Sequence, residues 1–322
     1  MHEITYLQSI DEAQREEMKR DSRVFVMGEG VAHGVMGTSV GFLKEFGKER
    51  VRDTPISESG FTGVGIGAAL VGMRPIVDFT IASFVYVAMD QLISMAAKCT
   101  YLYGGQAKVP IVFRACMYYG VSNAAQHSDR PYPIFMGVPG FKIIAPSTPY
   151  DMKGLLKTAI RDDDPVISFE DINLWGIKGT VPDEDYTIPF GQADVKRKGT
   201  DVTVVAIFSG VPMALAAADE LAQEGVSVEV VDPRTLVPLD KAAILESVKK
   251  TGRLVVVDPA HKTCSVASEI SSIVAEEGFW SLKAPIQRVT TDDIQVPFST
   301  ALEPQIYPSK EKIIAAVHKT LQ

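Results

Sequence analysis

Cysteine is scarce in this chain of 322 residues: Cys99, Cys116 and Cys264 stand far apart, with no C-x-x-C pair. That excludes a disulfide framework and a thiol redox motif, and predicts three reduced, buried thiols. Long hydrophobic runs are missing as well. The uncharged stretch between Glu58 and Arg74 is 15 residues and rich in glycine, and the longest, between Asp201 and Asp219, is 17, whereas a bilayer span takes roughly 20 apolar residues. There is no positive excess: 32 Lys and Arg against 40 Asp and Glu leave a net charge of -8. That balance argues against a dominant nucleic-acid or anionic-membrane surface. Met1-His2-Glu3-Ile4 lacks a basic region followed by an apolar core, so no secretion signal is read there and a cytoplasmic protein is expected. His2, His33, His127, His261 and His318 show no mutual ligand spacing, which speaks against a zinc-type cage. No internal repeat and no low-complexity segment is found.

What is present is 46% hydrophobic and 22% charged, the balance of a soluble α/β chain. Short β-branched runs alternate with amphipathic segments, as in a mainly parallel sheet crossed by helices. Strands are predicted at 23–27, 75–79, 109–114, 141–145 and 165–170, and helices at 59–72, 85–101 and 149–161. Periodicity fades where Gly176, Gly179, Pro182, Pro189 and Gly191 cluster, the composition of a connection. The domains are therefore set at 1–187 and 201–322, with a linker at 188–200. In the second, smaller open α/β domain, strands are predicted at 201–207, 227–231 and 253–258. Its helices are predicted at 212–223, 241–250, 265–276 and from 309 onward.

Three segments can carry chemistry. Asp53 to Gly63 runs from an extended piece through Pro55 into a glycine-rich helix, with Glu58 where free backbone N–H groups favour a carboxylate. On position alone a capping acid is the commoner reading. Gly63-x-Gly65-x-x-Ala68 formally matches a dinucleotide fingerprint, but Pro55 and polar residues precede it, and Gly63 with Gly67 more simply makes a smooth helix face. Phe84 and Tyr86 follow a strand end, where an aromatic either stacks on a planar ligand or fills the core; the core is the commoner outcome. His127, in Ala125-Gln126-His127-Ser128, suits proton transfer near neutral pH.

Together these segments resemble the beta subunits of thiamine-diphosphate-dependent 2-oxo acid dehydrogenases, the pyruvate, branched-chain and acetoin type, themselves similar to the pyrimidine-binding half of transketolase. The resemblance rests on Thr54-Pro55-Ile56-Ser57-Glu58, Gly60-Phe61-Thr62-Gly63, Gly72-Met73-Arg74-Pro75 and Asp90-Gln91. It continues through Val109 to Arg114, Ala125 to Ser128, Gly154 to Asp162 and Asp232 to Asp240, nearly the whole chain in family-like order. It implies a transketolase-like pyrimidine-binding domain followed by a transketolase C-terminal-like domain. It implies oxidative decarboxylation of a 2-oxo acid, or cleavage of a related acyloin, with the acyl group passed to lipoamide.

In site residues, the resemblance implies Glu58 at the pyrimidine ring nitrogen, Phe84 stacked on that ring, and His127 assisting proton or acyl transfer. Glu29, in Gly28-Glu29-Gly30 at a strand end, joins them as a cofactor-binding candidate. A structural potassium ion would sit on backbone carbonyls around Ile111, Ala159, Ile160, Asp162 and Asp164, oxygen ligands suited to a hard cation. The family's Gly-Asp-Gly segment for magnesium and diphosphate is absent. The resemblance thus implies an alpha subunit that holds magnesium, an α2β2 assembly sharing the cofactor, and a dihydrolipoamide acyltransferase core as acceptor. The chain departs from the family at Ala115 to Tyr119, at Asp129 to Pro133, at Thr263-Cys264-Ser265 and at Gln295. Bulk near His127 is expected to reshape the acyl pocket, and the substrate need be neither pyruvate nor a branched-chain acid. The competing readings are a split transketolase-like subunit moving two-carbon units, a non-catalytic assembly subunit, and a nicotinamide dehydrogenase.

Overall fold

The computed structural model describes every residue from Met1 to Gln322. The residues gather into two compact units, Met1–Tyr118 with Ile134–Phe190, and Tyr119–Pro133 with Gly191–Gln322. Strands of the first unit are β1 (His2–Thr5), β2 (Val24–Gly28), β3 (Val51–Asp53), β4 (Arg74–Ile81), β5 (Val112–Met117), β6 (Lys142–Ile144), β7 (Val166–Asp171) and β8 (Lys178–Val181). Six of them lie side by side in the order β6-β7-β5-β4-β2-β3, every pair parallel, while β1 pairs antiparallel with β8.

The sheet is covered on both faces, which is why β2, β5 and β7 are buried along their whole length. Val26, Ile76 and Val112 share a core cluster with Ile10 and Ala13 of helix Tyr6–Arg20 and with Met152 and Leu156 of helix Pro149–Arg161. The alternate residue Val77 lies against helix Glu58–Leu70 at Gly65, where a Cβ would come within 2.7 Å of the Val77 side chain. Both first-cluster helices begin where the sequence supplies a cap. Thr5 Oγ1 accepts from the Gln8 N–H while the Thr5 N–H donates to Gln8 Oε1, and Thr148 caps a helix whose first residue is Pro149.

One guanidinium ties the strands together inside. Arg114 on β5 is 2% exposed. Its Nε and Nη2 donate to Glu170 Oε1 and Oε2 on β7 at 2.7 and 2.8 Å, and its Nη1 donates to Asp78 Oδ2 on β4 at 2.8 Å. Nη1 also reaches Gln14 Oε1 and Thr38 Oγ1. Burial pushes the Glu170 carboxyl up from its ordinary range, and the arginine pulls it back down.

The second unit carries β9 (Asp194–Arg197), β10 (Val202–Ala206), β11 (Val228–Asp232), β12 (Thr235–Val237), β13 (Leu254–His261) and β14 (Gln287–Thr291). Five of these form a sheet in the order β14-β13-β10-β11-β9, parallel except for the edge strand β9. Helices Gly210–Gln223 and Lys310–Leu321 bury alanine and valine faces against it. Asp240, Ser265 and Ser309 each cap the helix that follows them.

Three expectations need correction. The predicted helix at 85–101 is helical but irregular, a tightly wound 3-10 segment Ala82–Ala88, a widened π segment Gln91–Ala96 and a short α-helix Cys99–Leu102. There the Ala97 carbonyl comes so close to Gly140 that a Cβ would stand 2.0 Å away, an approach only glycine permits. The strand predicted at 109–114 lies instead at Val112–Met117, so Ala115, Cys116 and Met117 are buried strand rather than loop bulk beside His127. Cys99 and Cys116 are buried, but Cys264 is exposed.

Replacing Arg114 by Met leaves Asp78 and Glu170 facing each other without a cation, and is expected to cost about 3–5 kcal/mol. Urea unfolding of the variant checks this. The triple substitution Arg114→Met, Asp78→Asn and Glu170→Gln should recover much of the loss, because it removes the uncompensated charge.

Candidate functional site

The candidate residues come one after another from the carboxyl ends of parallel strands, the edge at which open α/β sheets bind ligands. Glu29 follows β2. Gly28 before it has φ +154, and a Cβ there would stand 2.2 Å from the Asp78 carbonyl, so only glycine lets β2 end so close to β4. The Thr54 N–H donates to the Gly28 carbonyl at 3.1 Å, which ties the segment leaving β3 to the end of β2. That segment, through Pro55 and Ser57, delivers Glu58 as the first residue of helix Glu58–Leu70. No side chain caps this helix, and Glu58 in its first turn is 6% exposed.

The two carboxyls are brought together. Burial raises the Glu29 pKa from its usual value, and the nearby Glu58 charge raises it further. Glu29 Oε1, Thr54 Oγ1 and Thr62 Oγ1 are buried without a hydrogen-bond partner. Buried polar atoms are nearly always satisfied, so these three oxygens have acceptor capacity to spare. Thr54, Thr62 and Asp78 were not picked out by sequence. Thr54 and Thr62 lie in the stretches that carry the resemblance but drew no role from it, and the burial of Asp78 shows only in three dimensions.

Near the end of β4 the strand is kinked at Thr80, which has φ +59, its N–H held by Asp78 Oδ1 at 2.8 Å. The turn Ala82–Ala88 packs against helix Glu58–Leu70. It buries Ser83 and Val85 but leaves Phe84 half-buried and Tyr86 exposed. The commoner expectation for these aromatics, burial in the core, is therefore not met. His127 closes the short helix Ala124–His127 in the loop after β5, half-buried, within the second compact unit. Arg130, the one arginine the sequence offered near His127 for a sugar phosphate, is buried, its guanidinium lying over the rings of Tyr119 and Tyr307.

Of the carbonyls considered for potassium, those of Ile160 and Asp162 accept from Arg74 Nη1 at 3.1 and 2.7 Å. The Ile111 carbonyl accepts from the Val166 N–H at 3.0 Å and the Ala159 carbonyl from the Asp162 N–H at 3.3 Å. Lys142 Nζ meets the carboxylates of Asp162 and Asp164. Four of the five carbonyls thus already accept a hydrogen bond, two of them from a guanidinium.

The acid pair has a consequence for stability. Because the folded-state pKa of Glu29 is raised, ionising it penalises the fold above that pKa, and the penalty vanishes below the ordinary glutamate value. Glu29→Gln is therefore expected to unfold at higher urea than the natural chain at neutral pH. The gap should close as pH falls through the ordinary glutamate range, followed as urea midpoints against pH.

The transketolase pyrimidine-binding domain model matches residues 2–174, and the transketolase C-terminal domain model matches residues 191–313. The acetoin:2,6-dichlorophenolindophenol oxidoreductase subunit beta of Bacillus subtilis is 44% identical, over 99% of this chain and 97% of its own length. The 2-oxoisovalerate dehydrogenase subunit beta of the same organism is 46% identical over 99% of both chains. The pyruvate dehydrogenase E1 component subunit beta of Rickettsia felis is 46% identical over 98% of both. Among solved structures, a split-gene transketolase described as an inactive beta4 tetramer superposes with a TM-score of 0.81 over 99% of this chain and 98% of that one, at 23% identity, a likeness of fold. The chain therefore belongs to the transketolase-like family of 2-oxo acid dehydrogenase and acetoin oxidoreductase beta subunits.

Proposed function

We propose that this chain is the beta subunit of a thiamine-diphosphate-dependent 2-oxo acid dehydrogenase component. It works with an alpha subunit in oxidative decarboxylation of a 2-oxo acid, or cleavage of a related acyloin, with acyl transfer to lipoamide. The observation that carries this reading is the neighbouring carboxyls of buried Glu58 and half-buried Glu29, with Glu29 Oε1 and Thr54 Oγ1 buried without a hydrogen-bond partner. Such a donor and acceptor set fits an aminopyrimidine, which offers ring nitrogens and an exocyclic amine. Bound there, thiamine diphosphate supplies the electron sink for the acyl carbanion.

The chain's own part is to bind, orient and move protons. Glu58, fixed in the first turn of its helix, holds a proton at the pyrimidine ring nitrogen. Glu29, with its raised pKa, is a second carboxyl able to keep a proton in the same pocket. Phe84, half-buried on its turn, offers a ring face to the heterocycle. His127 moves a proton at the acyl end. In this reading the alpha subunit holds magnesium and the diphosphate, since this chain has no Gly-Asp-Gly. Potassium takes the second lone pairs of the carbonyls of Ile111, Ala159, Ile160, Asp162 and Asp164 as a structural ion. An α2β2 tetramer, a dihydrolipoamide acyltransferase core and a cytoplasmic location complete it.

Co-expression with an alpha-type subunit tests the proposal, with dichlorophenolindophenol reduction followed on pyruvate, a branched-chain 2-oxo acid and acetoin. Glu58→Gln is expected to lower turnover about a hundredfold or more, because an amide cannot pass the proton. Phe84→Ala should raise the cofactor KM by about tenfold, the worth of one ring contact. Full activity in Glu58→Gln would end the assignment.

A further inference from the structure

The loop that presents His127 has little structure of its own, a single helical turn at Ala124–His127. Ser122 and Ala124 have φ +60 and +56, and Gly120 has φ +79. For residues with a side chain this conformation costs about 1–2 kcal/mol each. It persists only where the surroundings over-determine it.

Here the surroundings come from elsewhere in the second unit. Glu303, 1% exposed, accepts the Gly120 N–H on Oε1 at 2.8 Å and the Ser122 N–H on Oε2 at 2.6 Å. One carboxylate thus fastens two backbone donors of the left-handed stretch, as an anion fills a nest of N–H groups. Tyr307 donates its hydroxyl to Glu303 Oε1 at 2.9 Å. The far side of His127 is fastened by Arg130, 5% exposed, which donates to the Ser128 carbonyl and to the Pro259 carbonyl. Its guanidinium lies 5.2 Å from the Tyr119 ring centroid and 5.3 Å from that of Tyr307. Tyr307 therefore serves both clamps, by its hydroxyl at Glu303 and by its ring face under Arg130. Tyr132 adds a hydrogen bond from its hydroxyl to the buried Asp258.

We propose that Glu303 is a positioning residue: through the N–H groups of Gly120 and Ser122 it sets the loop that presents His127, with Arg130 and Tyr307 as the second clamp. The inference rests on the reading of His127 given above. Glu303 touches no reacting atom in this scheme, so its removal slows turnover only through His127 and leaves cofactor binding alone.

The test is a double-substitution cycle in the complex with the alpha subunit, using Glu303→Gln, His127→Asn and the pair, alongside hydrogen exchange of peptides covering 119–130. Glu303→Gln is expected to lower kcat by about tenfold with the thiamine diphosphate KM changed less than about twofold. The pair should turn over no more slowly than His127→Asn alone, and exchange should rise in 119–130 while the rest of the chain is unchanged. Fully additive losses, or unaltered exchange in 119–130, overturn the proposal. If His127→Asn keeps full turnover, the role of His127 falls, and hydrogen exchange alone then decides for or against the clamp. Should Glu303→Gln fail to fold, Tyr307→Phe removes one bond to the carboxylate and keeps the ring. A loss of about twofold to fivefold in the same cycle supports the clamp, and none overturns it.

Discussion

A buried cation shared among three strands is the constraint on which the first unit's geometry depends. Arg114 reaches from β5 to Glu170 on β7 and to Asp78 on β4. A bidentate fork fixes both the spacing of the strands and the angle of the side chains that meet it. Asp78 then passes this order on to the site. One of its oxygens holds the Thr80 N–H where β4 turns toward Phe84, and the other faces Arg114 and Thr38. Its backbone carbonyl stands so close to Gly28 that β2 ends in contact with β4, with Glu29 next in the chain. Charges buried so deeply are weak contributors to net stability, yet they are highly directional. The position of Glu29 and the turn that carries Phe84 follow from that direction.

A rigid frame of this kind tolerates the acid pair. Two carboxyls in one pocket raise the pKa of at least one of them, and unsatisfied oxygens beside them cost free energy that a ligand would return. A loose loop would relax by turning one carboxyl to solvent. Glu58 is the buried first residue of a helix, and the backbone at Glu29 is set by the close approach of Gly28 to Asp78. Strain at a binding site supported by an over-determined scaffold is the expected arrangement for a protein that pre-organises a heterocycle.

The class of fold, the central strands and the long helices were legible in the sequence, because continuous apolar runs and helical periodicity record burial directly. Edge strands such as His2–Thr5, Val51–Asp53 and Asp194–Arg197 were not, since a short polar strand at a sheet edge carries no such pattern. The helix read across 85–101 fell short for a different reason. Its apolar content is real and the span is helical, but its winding changes along the way, which local propensity does not record. In the site, Glu29, Glu58, Phe84 and His127 were named from their motifs. The residues that hold them were not, because Arg114 and Glu303 act across large sequence separations, and such partnerships leave no local trace.

Overall likeness carries no information about the substrate. Relatives named for acetoin, 2-oxoisovalerate and pyruvate are 44%, 46% and 46% identical over almost the whole chain. Whatever distinguishes substrates must then lie in a small set of positions that the shared frame leaves open. The strand residues Ala115, Cys116 and Met117 are excluded, because they are buried in the sheet and make no pocket. Tyr119, Arg130 and Tyr132 are also turned inward, one ring under the guanidinium and one hydroxyl on Asp258, so their bulk is structural rather than a wall facing a ligand. They fix which way the loop points.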